Sequence, residues 1–142
     1  MVLELRRLLE RRVDALGAAR DVSAIPHDHP YRSASDDLHR FAFAHRAAVL
    51  FVLRRAAGTR YASFAEDLAN ELARMAARYA KRAYPDLSVG AAKRAALVRI
   101  YRGFVSAVAS ILAEESSDRA FRDVTEHFTT YHLAGLKALL SR

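Results

Sequence analysis

Cysteine is absent from the chain. That excludes disulfides, thiolate metal sites and cysteine nucleophiles, and it suits a reducing compartment, so the cytoplasm is the expected location. A long charge-free apolar run is missing from the start: residues 1–20 alternate leucines with arginines and glutamates, which fits neither a signal peptide nor a membrane span. Strand alternation and hairpin dipeptides do not occur, which leaves β structure without a signal. Phosphate loops, dinucleotide fingerprints and nucleophile elbows are missing too, and no acid–base constellation stands in for them, so enzymatic activity is not expected. No internal repeat, low-complexity tract or second-domain boundary breaks the 142 residues. One domain of that length buries roughly two-thirds of the surface its unfolded chain exposes.

Positive charge is in excess. Against 16 Asp+Glu stand 23 Lys+Arg, a net charge of +7 that is compatible with nucleic acid, anionic lipid or acidic ligands. Its distribution points elsewhere, because pairs such as Arg6-Arg7, Arg11-Arg12, Arg54-Arg55 and Lys81-Arg82 fall on helix faces opposite the leucines and no block of five or six like charges appears. Without aromatic or glycine-rich recognition motifs, this reads as a solvated basic surface. The arginine-flanked leucines of the first helix also suit an anionic membrane surface, but the aromatic anchors usual in such helices are lacking, and no membrane partner is expected.

Helical periodicity runs through most of the chain and predicts an all-α bundle of about five helices. Leu5, Leu9, Val13 and Leu16 share a narrow stripe on a first helix over 2–19. Two prolines and several small polar residues make 20–35 a loop. A second helix is expected from a Ser35 cap to Gly58, with Leu38, Phe41, Ala42, His45, Val49, Val52 and Leu53 in line. It is apolar most of the way round, and this predicts the central position in a core spanning 36–142. Ser63 and Glu66 have the spacing of a capping box for a third helix, read as a surface helix with Phe64, Leu68, Leu72, Met75 and Tyr79 inward. Ser88 is placed as the cap of a fourth helix that reaches about Ala113, centred on Leu97, Tyr101, Phe104 and Val108. After a turn near Ser117 and Asp118, a fifth lines up Phe121, Val124, Phe128, His132, Gly135 and Leu139. Both last helices carry more apolar circumference than one neighbour needs.

Small residues and histidines punctuate these stripes. Interior glycine costs a helix about 0.5–1 kcal/mol relative to alanine, so Gly103 and Gly135 call for a packing reason such as close helix approach, within the chain or to a second copy. His45 and His132 lie mid-stripe, where a buried imidazole is most often satisfied by a carbonyl or a neighbouring side chain. His27-Asp28-His29 is the one metal-like cluster, and two loop histidines fall short of the three or four converging ligands a site needs. No metal or cofactor is expected.

The ending "FTTYHLAGLKALL" resembles the last helix of the ligand-sensing domain of TetR-type transcriptional regulators. "LHRFAFAHRAAVLFVLRRAAGTRYASFAEDLANELARMAARYA" is similar to the middle of that domain, and "KRAALVRIYRGFVSAVASILAEESSDRAFRDVTEHF" to its penultimate helix and following turn. The resemblance covers roughly residues 36–142, with 2–19 in the place of the helix that connects the family's DNA-reading head to its sensor. It implies a homodimer in which the last two helices of each copy form a four-helix interface, here through Val98, Val105, Leu112, Phe128, Tyr131, His132, Gly135 and Leu139. It also implies a cavity for a small, largely apolar effector beside the second helix, lined by Phe41, His45, Val49, Leu68, Leu72, Met75, Tyr101 and Phe104. The family's helix-turn-helix head has no counterpart here, since residues 1–35 hold one helix and a proline-broken loop, so contact with DNA is expected only through a head outside this chain. The chain is then either the sensor part of a longer regulator or a stand-alone protein that keeps sensing and pairing. A helical homodimer without a cavity is the alternative.

Overall fold

The computed structural model describes residues 1–141. Its elements are six α-helices, α1 (Val2–Asp14), α2 (Pro30–Ala44), α3 (Arg46–Arg54), α4 (Phe64–Ala83), α5 (Ala91–Glu114) and α6 (Asp118–Leu140), with a 3-10 turn at Val22–Ala24 and no strand among the described residues. The chain is an all-α bundle.

Helix α4 contributes more buried residues than any other helix. Phe64, Leu68, Leu72, Met75 and Tyr79 repeat at three- and four-residue spacing, and the alanines at 69, 73, 76, 80 and 83 widen their stripe while staying buried themselves. Small side chains there let neighbours come close, and α4 packs on α1, α3 and most extensively α5. Its opposite face, with Glu66, Asp67, Arg74, Arg78 and Lys81, is exposed, as expected of a surface helix. One expectation is corrected: the helix expected at the centre lies further out, with fewer buried residues than α4.

That outer helix is in fact two. Proline is tolerated in a first turn because the amide it lacks has no helical partner there, and α2 starts at Pro30 rather than Ser35. His29 caps it, its Nδ1 accepting from the Tyr31 N–H at 3.1 Å. Ser35 is buried mid-helix and accepts at Oγ from Arg12 Nε at 2.9 Å. At His45 the backbone leaves helical geometry (φ −107°, ψ 28°), and α3 begins as a separate helix at Arg46. Arg46 Nη2 then donates to the Ala113 carbonyl at 2.7 Å, supplying a cation to the negative end of α5.

Helix α1 stops at Asp14, earlier than its periodicity suggests, because Gly17 takes a left-handed φ of +57° that ends the helix. The following link is irregular but tied down. Tyr79 Oη donates to the Ala19 carbonyl, Tyr84 Oη to the Arg20 carbonyl at 2.5 Å and Arg20 Nε to the Ala83 carbonyl at 2.8 Å, all at the C-terminal end of α4. Val22 and Ile25 are buried, and the 3-10 turn packs on α6.

Caps also differ from expectation. Ser63 donates from Oγ to Asp67 Oδ2 at 2.9 Å instead of forming a capping box, and Glu66 reaches across to Arg102 at 2.7 Å. Gly90, not Ser88, precedes α5. Ser117 caps α6, accepting from the Ala120 N–H at 3.1 Å. The buried face of α6 is Phe121, Thr125, Thr129, Leu133, Leu136 and Leu140, turned by about one residue from the expected stripe.

Burial separates two phenylalanines that look alike in the sequence: Phe121 is fully buried beside Ala42, Val49 and Leu112, while Phe51 is 42% exposed. In urea unfolding, Phe121→Ala should cost about 3–5 kcal/mol, and Phe51→Ala less than half of that. Equal losses would contradict this packing.

Candidate functional site

Side chains from all six helices converge on one apolar cavity of about 70 Å³. Leu5 and Leu9 come from α1, Leu38 and Ala42 from α2, Val49 and Leu53 from α3, Leu68 and Leu72 from α4, Phe104 and Leu112 from α5, and Phe121 from α6. Three polar groups interrupt this wall: Arg12, His39 and Thr125. Beyond Arg12 and His39, which line both spaces, lies a polar hollow of about 230 Å³ bounded by Tyr31, Arg32, Ser35, Asp36, Arg122, Glu126 and Thr129.

Arg12 is buried, at 8% exposure, on the leucine face of α1. Its Nε bonds to Ser35 Oγ and its guanidinium lies 4.9 Å from the centre of the Tyr31 ring. Neither partner is a carboxylate. The neighbouring arginines are engaged more loosely, Arg122 with Asp118 at 3.2 Å and Arg32 with Glu126 at 4.0 Å. Thr125 Oγ1 and Thr129 Oγ1 are buried without a hydrogen-bond partner.

The residues singled out in the sequence divide. Val49, Leu68, Leu72 and Phe104 line the cavity. Phe41 and His45 stack on each other, ring centres 4.4 Å apart, at an outer hollow shared with Arg7 and Arg11, where His45 is exposed at the break between α2 and α3. Exposure there corrects the placement of His45 as a buried polar group beside the effector. Met75 faces a surface groove with Arg74 and Arg78. Tyr101 is buried against Phe104 and His132, its Oη 3.3 Å from His132 Nε2. His29 serves as a helix cap and His27 borders the polar hollow, which gives both histidines of the loop cluster a structural place.

Arg12, His39 and Thr125 escaped notice in the sequence although their spacing carries a signal. Arg12 follows Leu5 and Leu9 at helical intervals of seven and three residues, and its pairing with Arg11 concealed that it belongs to the leucine face. His39 comes four residues after Ser35 on the same face of α2.

A second feature runs along the outside of α5 and α6. Phe104 stacks on Phe128 and His132 at 5.6 and 4.6 Å, fixing how the two helices sit together. Beside this seam lie Ala96, Ile100, Gly103, Ala107 and Ile111 on α5, and Val124, Phe128, Tyr131 and Gly135 on α6, each series at spacings of three to four residues. Ile100 and Val124 are exposed and Tyr131 is 78% exposed. Helix α5 is long and apolar enough by composition to cross a membrane, yet only 33% of its most apolar window is buried. A methyl group added at Gly103 or Gly135 would touch nothing within 4 Å, so neither glycine serves close packing inside the chain. Val105 and Leu112 are buried inside the chain, which corrects their place in a subunit interface, whereas Val98, Phe128, His132 and Leu139 are half-buried.

Comparison with known proteins yields no matching family model, curated protein or solved structure.

Burial, reinforced by Arg12 and Arg122, pushes the His39 imidazole from 6.5 down to about 3. Burial and Arg12 push His132 down to about 4. Both are neutral in the folded chain, whereas the unfolded chain takes up these protons near pH 6.5. Their stabilisation is complete above that pH and is lost as pH falls, by up to about 1.4 kcal/mol per pH unit for each imidazole. The melting temperature should therefore drop between pH 7 and 5, and the His39→Gln, His132→Gln double variant should flatten that slope. A melting temperature that rises on acidification would contradict neutral burial.

Proposed function

We propose that this chain is the effector-binding and homodimerising domain of a TetR-like transcriptional regulator, in which DNA is reached only through a helix-turn-helix head that these residues do not contain. The observation that carries this reading is the convergence of all six helices on one apolar cavity interrupted by a few polar groups, the usual make-up of a small-molecule site. Because α1 contributes Leu5, Leu9 and Arg12 to the wall, a guest that prefers one placement of α1 shifts the population towards it and moves whatever is joined to that helix. The family resemblance of residues 36–142 supports the assignment from the side of sequence.

Pairing rests on the seam of α5 and α6. An exposed strip of Ile100, Val124 and Tyr131, with half-buried Ala107, around two glycines with no role inside the chain suits an isologous contact, in which each copy offers the same patch. With Val105 and Leu112 inside, the contact surface is Ile100, Gly103, Ala107, Val124, Phe128, Tyr131 and Gly135.

One observation favours the alternative of a homodimer that senses nothing. The cavity holds about 70 Å³, and even with the adjoining hollow it only reaches the floor of the range for small-ligand sites, roughly 300–1,000 Å³. An effector must be small or must move side chains aside.

Native mass spectrometry of the purified chain separates the readings. The expected spectrum is a dimer that carries extra mass, which Leu72→Trp removes by filling the cavity while the dimer persists. A dimer with no adduct selects the non-sensing alternative, and a monomer with no adduct contradicts both. Gly103→Ala and Gly135→Ala refine the interface. Without a partner, each should stabilise the chain by about 0.5–1 kcal/mol through helix propensity; against a tightly apposed copy, each should weaken dimerisation in sedimentation equilibrium.

A further inference from the structure

At the boundary between the apolar cavity and the polar hollow sits a charge without a counter-charge. A buried charge is costly unless paired and hydrogen-bonded. Arg12 is more than nine-tenths buried and has no carboxylate within ion-pair distance among the described residues. Its single hydrogen bond runs from Nε to Ser35, which leaves the terminal nitrogens of a five-donor fork without an anion. Contact with the Tyr31 ring relieves part of the cost but supplies no acceptor in the plane of the guanidinium.

The surroundings are biased in the same direction. Arg12, Arg32 and Arg122 line one hollow against Asp36 and Glu126, and the Glu126 side chain is 63% exposed, held loosely by Arg32 at 4.0 Å. Two hydroxyls complete the arrangement. Thr129 lines the hollow and Thr125 the cavity, and the Oγ1 of each is buried without a partner. Behind them the wall is apolar, with Leu9, Leu72, Phe104 and Phe121.

We infer that the guest of this site is a small amphipathic carboxylic acid, its carboxylate on Arg12 at the neck between hollow and cavity and its hydrocarbon tail among Leu9, Leu72 and Phe104. This rests on the sensing function proposed above and names the class of effector. A planar carboxylate matches the guanidinium fork with two parallel bonds, and in a buried site such a pair is shielded from water. The tail is short. A benzene-sized guest occupies an engineered core cavity of about 150 Å³, so a space of about 70 Å³ receives a chain of a few carbons.

Butyrate and 1-butanol test the assignment, because they share a propyl tail and differ in the head. Calorimetric titration of the full chain at pH 7.5 should show butyrate binding about tenfold or more tighter than butanol. Arg12→Met, close in length and free of charge, should abolish that preference while butanol still binds. Arg12→Lys keeps the charge without the fork and should weaken butyrate by several-fold, which keeps the test open if the methionine variant fails to fold. Equal binding of the two probes by the wild-type chain, or butyrate affinity unchanged in both variants, overturns the carboxylate assignment and leaves the cavity as an apolar effector site. If neither probe binds the wild-type chain, the sensing function falls together with it.

Discussion

The inward face of α4 is the constraint from which the rest of the bundle follows. Phe64, Leu68, Leu72, Met75 and Tyr79, with alanines between them, form a surface that α1, α3 and α5 must cover, because leaving it wet would forfeit roughly 25 cal/mol for every Å² of apolar area. Helix α1 crosses it with Leu5, Leu8 and Leu9. The end of α4 then holds the link after α1 through Tyr79, Tyr84 and the Ala83 carbonyl. Once α1 is fixed in this way, Arg12 arrives next to Ser35 of α2, and the cavity is the space that remains where six curved surfaces fail to meet completely.

Two kinds of cost stand uncompensated inside the isolated chain, and both point outward to something else. Donors inside the bundle lack acceptors: Thr125 Oγ1 and Thr129 Oγ1 are buried with no partner, and the terminal nitrogens of Arg12, at the polar hollow, have no carboxylate. Exposed apolar surface lacks a cover, along the strip from Ile100 and Gly103 to Tyr131 and Gly135. Native interiors satisfy nearly all their polar groups, and monomer surfaces seldom carry a long apolar strip. A small acid meets the first deficit and a second copy of the chain the second. The two deficits share α5 and α6, since Phe104 lines the cavity on one side and stacks on Phe128 and His132 on the other.

Much of the architecture was legible in the sequence, and the misreadings have definite physical causes. All-α structure and the stripes of α4 and α5 follow from periodicity, and Ser117 acts as a cap where a cap was needed. Pro30 reads as a breaker in the sequence, but a proline is tolerated in the first turn, and α2 starts there. Nothing in "FAHRAA" marks a break, yet the backbone leaves helical geometry at His45. The inward face of α4 is wider than its large side chains suggest, because alanines weigh little in hydropathy while permitting the closest approach. On α6, Phe128 and Val124 outweigh Thr125 and Thr129 in hydropathy, yet the threonines face inward and the larger groups border the seam. Of the cavity, the apolar lining Val49, Leu68, Leu72 and Phe104 was readable, whereas Arg12 looked like one more solvated arginine in a chain of net charge +7.

The most direct measurement of the central claim observes Arg12 itself. In ¹⁵N-labelled protein, the buried Arg12 Nε–H is held by Ser35, which should set its resonance apart from those of the solvent-exposed arginines. Adding a short-chain carboxylate should shift that signal and slow rotation of its guanidinium until the separate Nη protons resolve, with the exposed arginines unchanged. If the Arg12 signal stays in place while the carboxylate is present in excess, or if all arginines shift alike, the guanidinium at the neck of the cavity is not the anion-binding centre of this fold.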